Sequence, residues 1–177
     1  MNKKRTYTLV ALLIAIVALG IGYAAVTSLL DITGNATALE SDGVQLEFTG
    51  TPTNNGTQPG NSASINSGNK TAVCTVVLKT AGESATCSYT VTNNTTDTSL
   101  SATNLAATVY EESTYDTAWT NSSSDYFTIT TNVGQTTLAN AASTTVTVTV
   151  TLKKENVTGS PKTENFYVAV TGTTSQS

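Results

Sequence analysis

Residues 145–152 read Thr-Val-Thr-Val-Thr-Val-Thr-Leu, with Val146, Val148, Val150 and Leu152 on one side and Thr145, Thr147, Thr149 and Thr151 on the other. A strict period of two is that of a β-strand with one face in a core and the other in water. The pattern recurs, less regularly, at 29–39, 44–49, 72–79, 85–92, 105–110, 126–131 and 165–171, with clusters of Gly, Asn, Ser and Pro between. About eight such strands, with no stretch of helical spacing after residue 30, predict an all-β antiparallel sandwich rather than a parallel sheet. Thr supplies about a fifth of the chain; it is β-branched and polar, which suits the wet face of a strand. Residues 50–70 (GTPTNNGTQPGNSASINSGNK) lack apolar side chains with which to pack, and are expected to form a mobile low-complexity loop.

A different pattern precedes the strands. Lys3, Lys4 and Arg5 lie ahead of an apolar run at 8–21 (TLVALLIAIVALGI), the arrangement of an export signal helix. Small residues at Ala24 and Ala25 place the expected cleavage there. The chain then divides into a signal peptide at 1–24, an N-terminal strand at 25–40 and a sandwich domain at 41–177, with signal peptidase as its export partner. The competing expectation is an uncleaved anchor, since no charge occurs between Arg5 and Asp31. Contact with a membrane is expected only through this segment. Removing it takes three of the 8 basic residues and none of the 12 acidic ones, leaving 5 − 12 = −7. That charge argues against binding nucleic acid or docking on anionic lipid.

Cys74 and Cys87 flank the turn Lys79-Thr80-Ala81-Gly82, with the midpoint of the two positions inside it. In a tight hairpin they would face each other, and a cross-strand disulfide would form if the pair is a non-hydrogen-bonded one. An oxidising extracellular location favours the bond; two small buried thiols are the alternative.

The chain contains no His, which removes Ser-His and Cys-His catalysis and His-ligated zinc. No phosphate-binding glycine loop or dinucleotide fingerprint occurs, so no cofactor and no enzymatic activity are expected. Glu111, Glu112 and Asp116 lack the spacing of a calcium loop and read as a solvated cluster. Trp119, with Tyr115, Tyr126 and Phe127, offers either a sugar-binding platform or, more commonly, the closed end of a β core.

The segment Leu19-Gly20-Ile21-Gly22-Tyr23-Ala24-Ala25, running into Leu30-Asp31-Ile32-Thr33-Gly34-Asn35-Ala36, resembles the export signal and first strand of TasA/camelysin-like proteins. These are biofilm-matrix and surface proteins processed by the signal peptidase SipW. The stretch from Val77 through Gly82-Glu83-Ser84, followed by Tyr89-Thr90-Val91-Thr92-Asn93-Asn94, is similar to that family's strand, turn and strand ending in Asn. The resemblance implies a jelly-roll-like sandwich and head-to-tail polymerisation by donation of the N-terminal strand to another copy of the chain. The Cys pair and the 50–70 segment depart from the family pattern.

The residues themselves allow such a donation. Val26, Leu30, Ile32, Gly34 and Ala36 share one side of an extended segment, which could complete a neighbour's open sheet or pair within its own. The expected function is a secreted fibre or biofilm-matrix subunit; the alternative is a monomeric cell-surface adhesin or carbohydrate-binding module.

Overall fold

A computed structural model describes residues 30–38, 44–120, 122–154 and 162–176. The expected signal helix, Ala24, Ala25 and Val26 lie outside the described residues. Nine strands form: β1 (Leu30–Ala38), β2 (Leu46–Asn54), β3 (Ser62–Ile65), β4 (Thr71–Leu78), β5 (Ser84–Asn93), β6 (Leu100–Tyr110), β7 (Phe127–Val133), β8 (Ser143–Leu152) and β9 (Lys162–Gln176). They pack as two sheets, β3-β4-β1-β9-β6 and β2-β5-β8-β7. Among the named strands every pairing is antiparallel except β1 with β9, which is parallel. This is the antiparallel sandwich that the alternation predicts.

The core lies between the sheets and follows the period of two. In β8, Val146, Val148, Val150 and Leu152 are buried while the intervening Thr residues are not, and β5 buries Ala85, Cys87, Tyr89 and Val91 opposite them. Phe48 and Tyr89 meet edge to face at 5.7 Å between centroids. The Tyr89 hydroxyl donates to Val73 O at 2.8 Å, tying the second sheet to the first, and burial pushes its ionisation well above the ordinary range.

Two expectations need correction. The first concerns residues 50–70, which do not form a loop throughout: they hold the end of β2 and all of β3, an edge strand on β4. Polar side chains supply what apolar ones would otherwise provide. Asn61 Oδ1 accepts from Val77 N at 2.8 Å and its amide donates to Gln58 O at 2.9 Å, while Asn54 donates to Thr75 O at 3.0 Å and accepts from Gly56 N at 2.7 Å. A Cβ on Gly56 would lie 2.4 Å from the Asn61 amide group, so a larger residue there would push that side chain aside.

The second correction concerns the connection between β4 and β5. The disulfide forms as expected, but these strands are not a hairpin: β4 lies in the first sheet and β5 in the second. The turn is an arch from one sheet to the other, and the two sulfurs meet across the core. The bond brings the Cα atoms to 5.9 Å, against the ~10 Å usual between stacked sheets. A disulfide fits an oxidising, extracytoplasmic location.

The Gly-acid-Ser turn of this arch has a physical role. Gly82 adopts φ +85°, a conformation costly for other residues. Glu83 then accepts from Lys79 N at 2.7 Å, Thr80 N at 3.2 Å and Gln58 Nε2 at 2.8 Å. Desolvation pushes its carboxyl up, but these donors together outweigh it and hold the group below its ordinary value. The Asn that ends β5 is equally engaged. Asn93 is fully buried, donates to Leu100 O at 3.3 Å and Leu138 O at 3.2 Å, and accepts from the Thr95 hydroxyl at 2.5 Å.

Candidate assembly site

β1 is the central strand of the five-stranded sheet. It runs antiparallel to β4, from Leu30 opposite Leu78 to Thr37 opposite Thr71, and parallel to β9, from Leu30 opposite Lys162 to Ala38 opposite Val170. In the single chain it therefore pairs within its own sheet, one of the two arrangements that the sequence allows. Its neighbours depend on it: without β1, β3-β4 and β9-β6 would be two separate pairs, each with an open edge facing the gap. Two rows of main-chain groups would lose their partners along a slot eight to nine residues long.

The middle of the slot is formed around Gly34. Its neighbours are Cys74 on β4 and Phe166 on β9, so the disulfide stands on one side and an aromatic ring on the other. Phe166 is 1% exposed and its ring lies over the Gly34 backbone. A Cβ on Gly34 would fall 2.0 Å from Phe166 Cζ and 2.2 and 2.5 Å from its Cε atoms. Gly34 and Ala38 are both buried. Leu30, Ile32 and Ala36 share their parity, with cross-strand partners Leu78, Val76 and Ala72. Phe166 was visible in the sequence only as a residue of a strand. Glycine within a strand pattern is itself a sign of close backbone approach, and that signal points toward a large partner such as this one.

The other candidate residues gather elsewhere. Phe127 is fully buried, and Trp119 and Tyr126 are partly buried and pack against the core. Tyr115 belongs to a separate cluster with Tyr110 and Tyr167, at 5.4 and 6.5 Å. The rings of that cluster meet edge to face, at 87° and 85°. Glu111 accepts from the Ser123 hydroxyl and Glu112 from the Thr117 hydroxyl at 2.7 Å. Among the described residues no group of three or more acidic, Cys or His side chains is placed to hold a metal ion. A groove of about 580 Å³ runs between the edges of β2 and β3, lined by Thr49, Pro52, Ala63, Ile65 and Asn69.

Comparison with known proteins finds no matching family model, no matching curated protein and no matching solved structure.

Proposed function

We propose that the protein is a secreted structural subunit of an extracellular fibre or matrix, which polymerises when β1 leaves its own sheet and fills the same slot in a neighbouring copy. The observation that supports this reading is the position of β1, a strand inserted at the centre of a sheet whose two halves, β3-β4 and β9-β6, it joins. Exchange recreates the contacts of the closed chain between two chains, so it costs little beyond association itself. Main-chain hydrogen bonds on both sides supply affinity, and the inward positions fix register. A head-to-tail contact of this kind does not close on itself and propagates as a filament. Cleavage ahead of Ala25 or Val26 would free the segment for exchange.

The test places cysteines on neighbouring strands. Thr33 and Thr75 are cross-strand partners. In Thr33→Cys/Thr75→Cys a disulfide forms within one chain when β1 is at home, and between chains when it is donated. Exchange predicts that concentrated, fibre-containing samples run as a ladder of covalent multimers on non-reducing gels, while dilute samples run as monomer. Fibres that dissolve to cross-linked monomer alone would exclude donation of β1.

A further inference from the structure

We propose that Gly34 and Phe166 act as a steric lock that admits to the slot only a strand with glycine at the position facing the ring, which makes the slot selective for copies of this strand. The inference rests on the exchange reading where the strand comes from a neighbour, and on the closed sheet where it is the chain's own.

Register supplies the argument. The slot is antiparallel on one wall and parallel on the other, so the direction of an entering strand is fixed. A slip by one residue turns the core-facing positions outward and is excluded by burial. A slip by two preserves the faces, and burial alone hardly opposes it, because the inward positions of β1 are all apolar or small. That slip would bring Ile32 or Ala36 under Phe166. Either residue would place a Cβ within 2.0–2.5 Å of ring carbons. The ring cannot easily move aside, since it is buried and the interior around it is close-packed. Gly34 is the only glycine of β1, so one register fits. The same clash rejects any unrelated strand that carries a side chain at that position, and the admitted partner is a second copy of this chain.

The test exchanges bulk across the pair in the full-length secreted protein, comparing Gly34→Leu, Phe166→Ala and the double variant. Melting of dilute monomer and negative-stain imaging of concentrated samples are the readouts. Gly34→Leu is expected to lower the melting temperature by roughly 10 °C, and to reduce fibre number at least tenfold. Phe166→Ala, which leaves a cavity, is expected to fall between this variant and wild type. The double variant should recover at least half of both losses, because the leucine fills the space the ring vacates. If Gly34→Leu does not accumulate, Gly34→Ala adds the clashing Cβ alone and takes its place. A double variant no better than its glycine substitution, in melting and in fibre number, overturns the lock. Rescue of melting with no fibres from any variant, wild type included, supports the lock for the chain's own strand and sinks the exchange reading.

Discussion

The β2-β5-β8-β7 sheet and the β3-β4-β1-β9-β6 sheet reach similar burial by different means. In the former, β5 and β8 alternate almost without fault, and hydroxyls cover the outer face. Thr49 and Thr92 share a hydrogen bond of 2.7 Å, Thr92 and Ser143 one of 2.8 Å, and Thr86 and Thr149 one of 2.8 Å across the strand pair. Every strand there pairs antiparallel, and its inward side chains are mostly large and branched. The latter sheet is centred on LDITGNATA, a strand with one glycine and two alanines, whose neighbours come from distant parts of the chain. Side-chain volume fills the core face of the β2-β5-β8-β7 sheet. In the β3-β4-β1-β9-β6 sheet β4, β6 and β9 also bury large side chains, among them Val76, Leu78, Leu105 and Val168, but at its centre Phe166 lies against the backbone of Gly34. On the proposed reading, the strand that is exchanged belongs to one sheet and the regular, hydroxyl-covered strands to the other.

The sharpest way to break this contrast is a charge in β1. Ile32→Asp puts a carboxylate at a position of the same parity as buried Gly34. We expect a loss of about 3–5 kcal/mol in the monomer and no fibres. Because β1 occupies its own sheet in the single chain, the melting temperature should fall as well, unlike a segment that hung free of the domain. Val148→Ala on β8 is the control. It should cost about 2 kcal/mol yet leave fibres intact above the concentration threshold. Loss of fibres by Val148→Ala at a temperature where the domain is folded would erase the distinction between the sheets.

Removing the Cys74–Cys87 bond should have the next largest effect. The bond spans 13 residues and joins β4 of one sheet to β5 of the other. Loop-closure entropy gives it about 3 kcal/mol. In Cys74→Ala/Cys87→Ala, hydrogen exchange should quicken more in β4 and β1 than in β8, since the arch is the tie between β4 and the better-filled sheet. Equal acceleration in both sheets would show that the bond supports the sandwich as a whole rather than the slot.

The smallest effect concerns the arch turn. The carboxyl of Glu83 sits below its ordinary value of 4.5, so its contribution is present above that value and is lost as pH falls through the lower, folded one. Glu83→Gln should flatten the acid side of the melting profile below about pH 4.5 and change the melting temperature at neutral pH by no more than a degree or two. An unchanged acid limb would mean that the turn does not depend on the charge.

Most of the sandwich was legible in the residues. Val146 to Leu152 specified a strand and its faces, Gly82 marked a turn, and the alternation of Leu30, Ile32, Gly34 and Ala36 grouped one side of β1. β3 was not legible, because Asn54 and Asn61 do there what apolar side chains do elsewhere, and an Asn reads as loop until its partners are known. Of the candidate slot, β1 was visible and Phe166 was not, since nothing local links a glycine to a ring on the last strand.

Alternation in the residues was enough to specify an antiparallel sandwich and the core-facing side of most of its strands, and the spacing of Cys74 and Cys87 allowed them to pair or to stay as buried thiols. That Cys74 and Cys87 join two sheets rather than two strands of one became visible in the folded chain. The reason is geometric: a hairpin and an arch turn inward-facing residues toward each other at the same spacing about the turn, so alternation cannot distinguish them. The same holds for β1. Its period of two says that it lies in a sheet, but that β4 and β9 flank it, and that the Phe166 ring lies against Gly34, follow from folding alone.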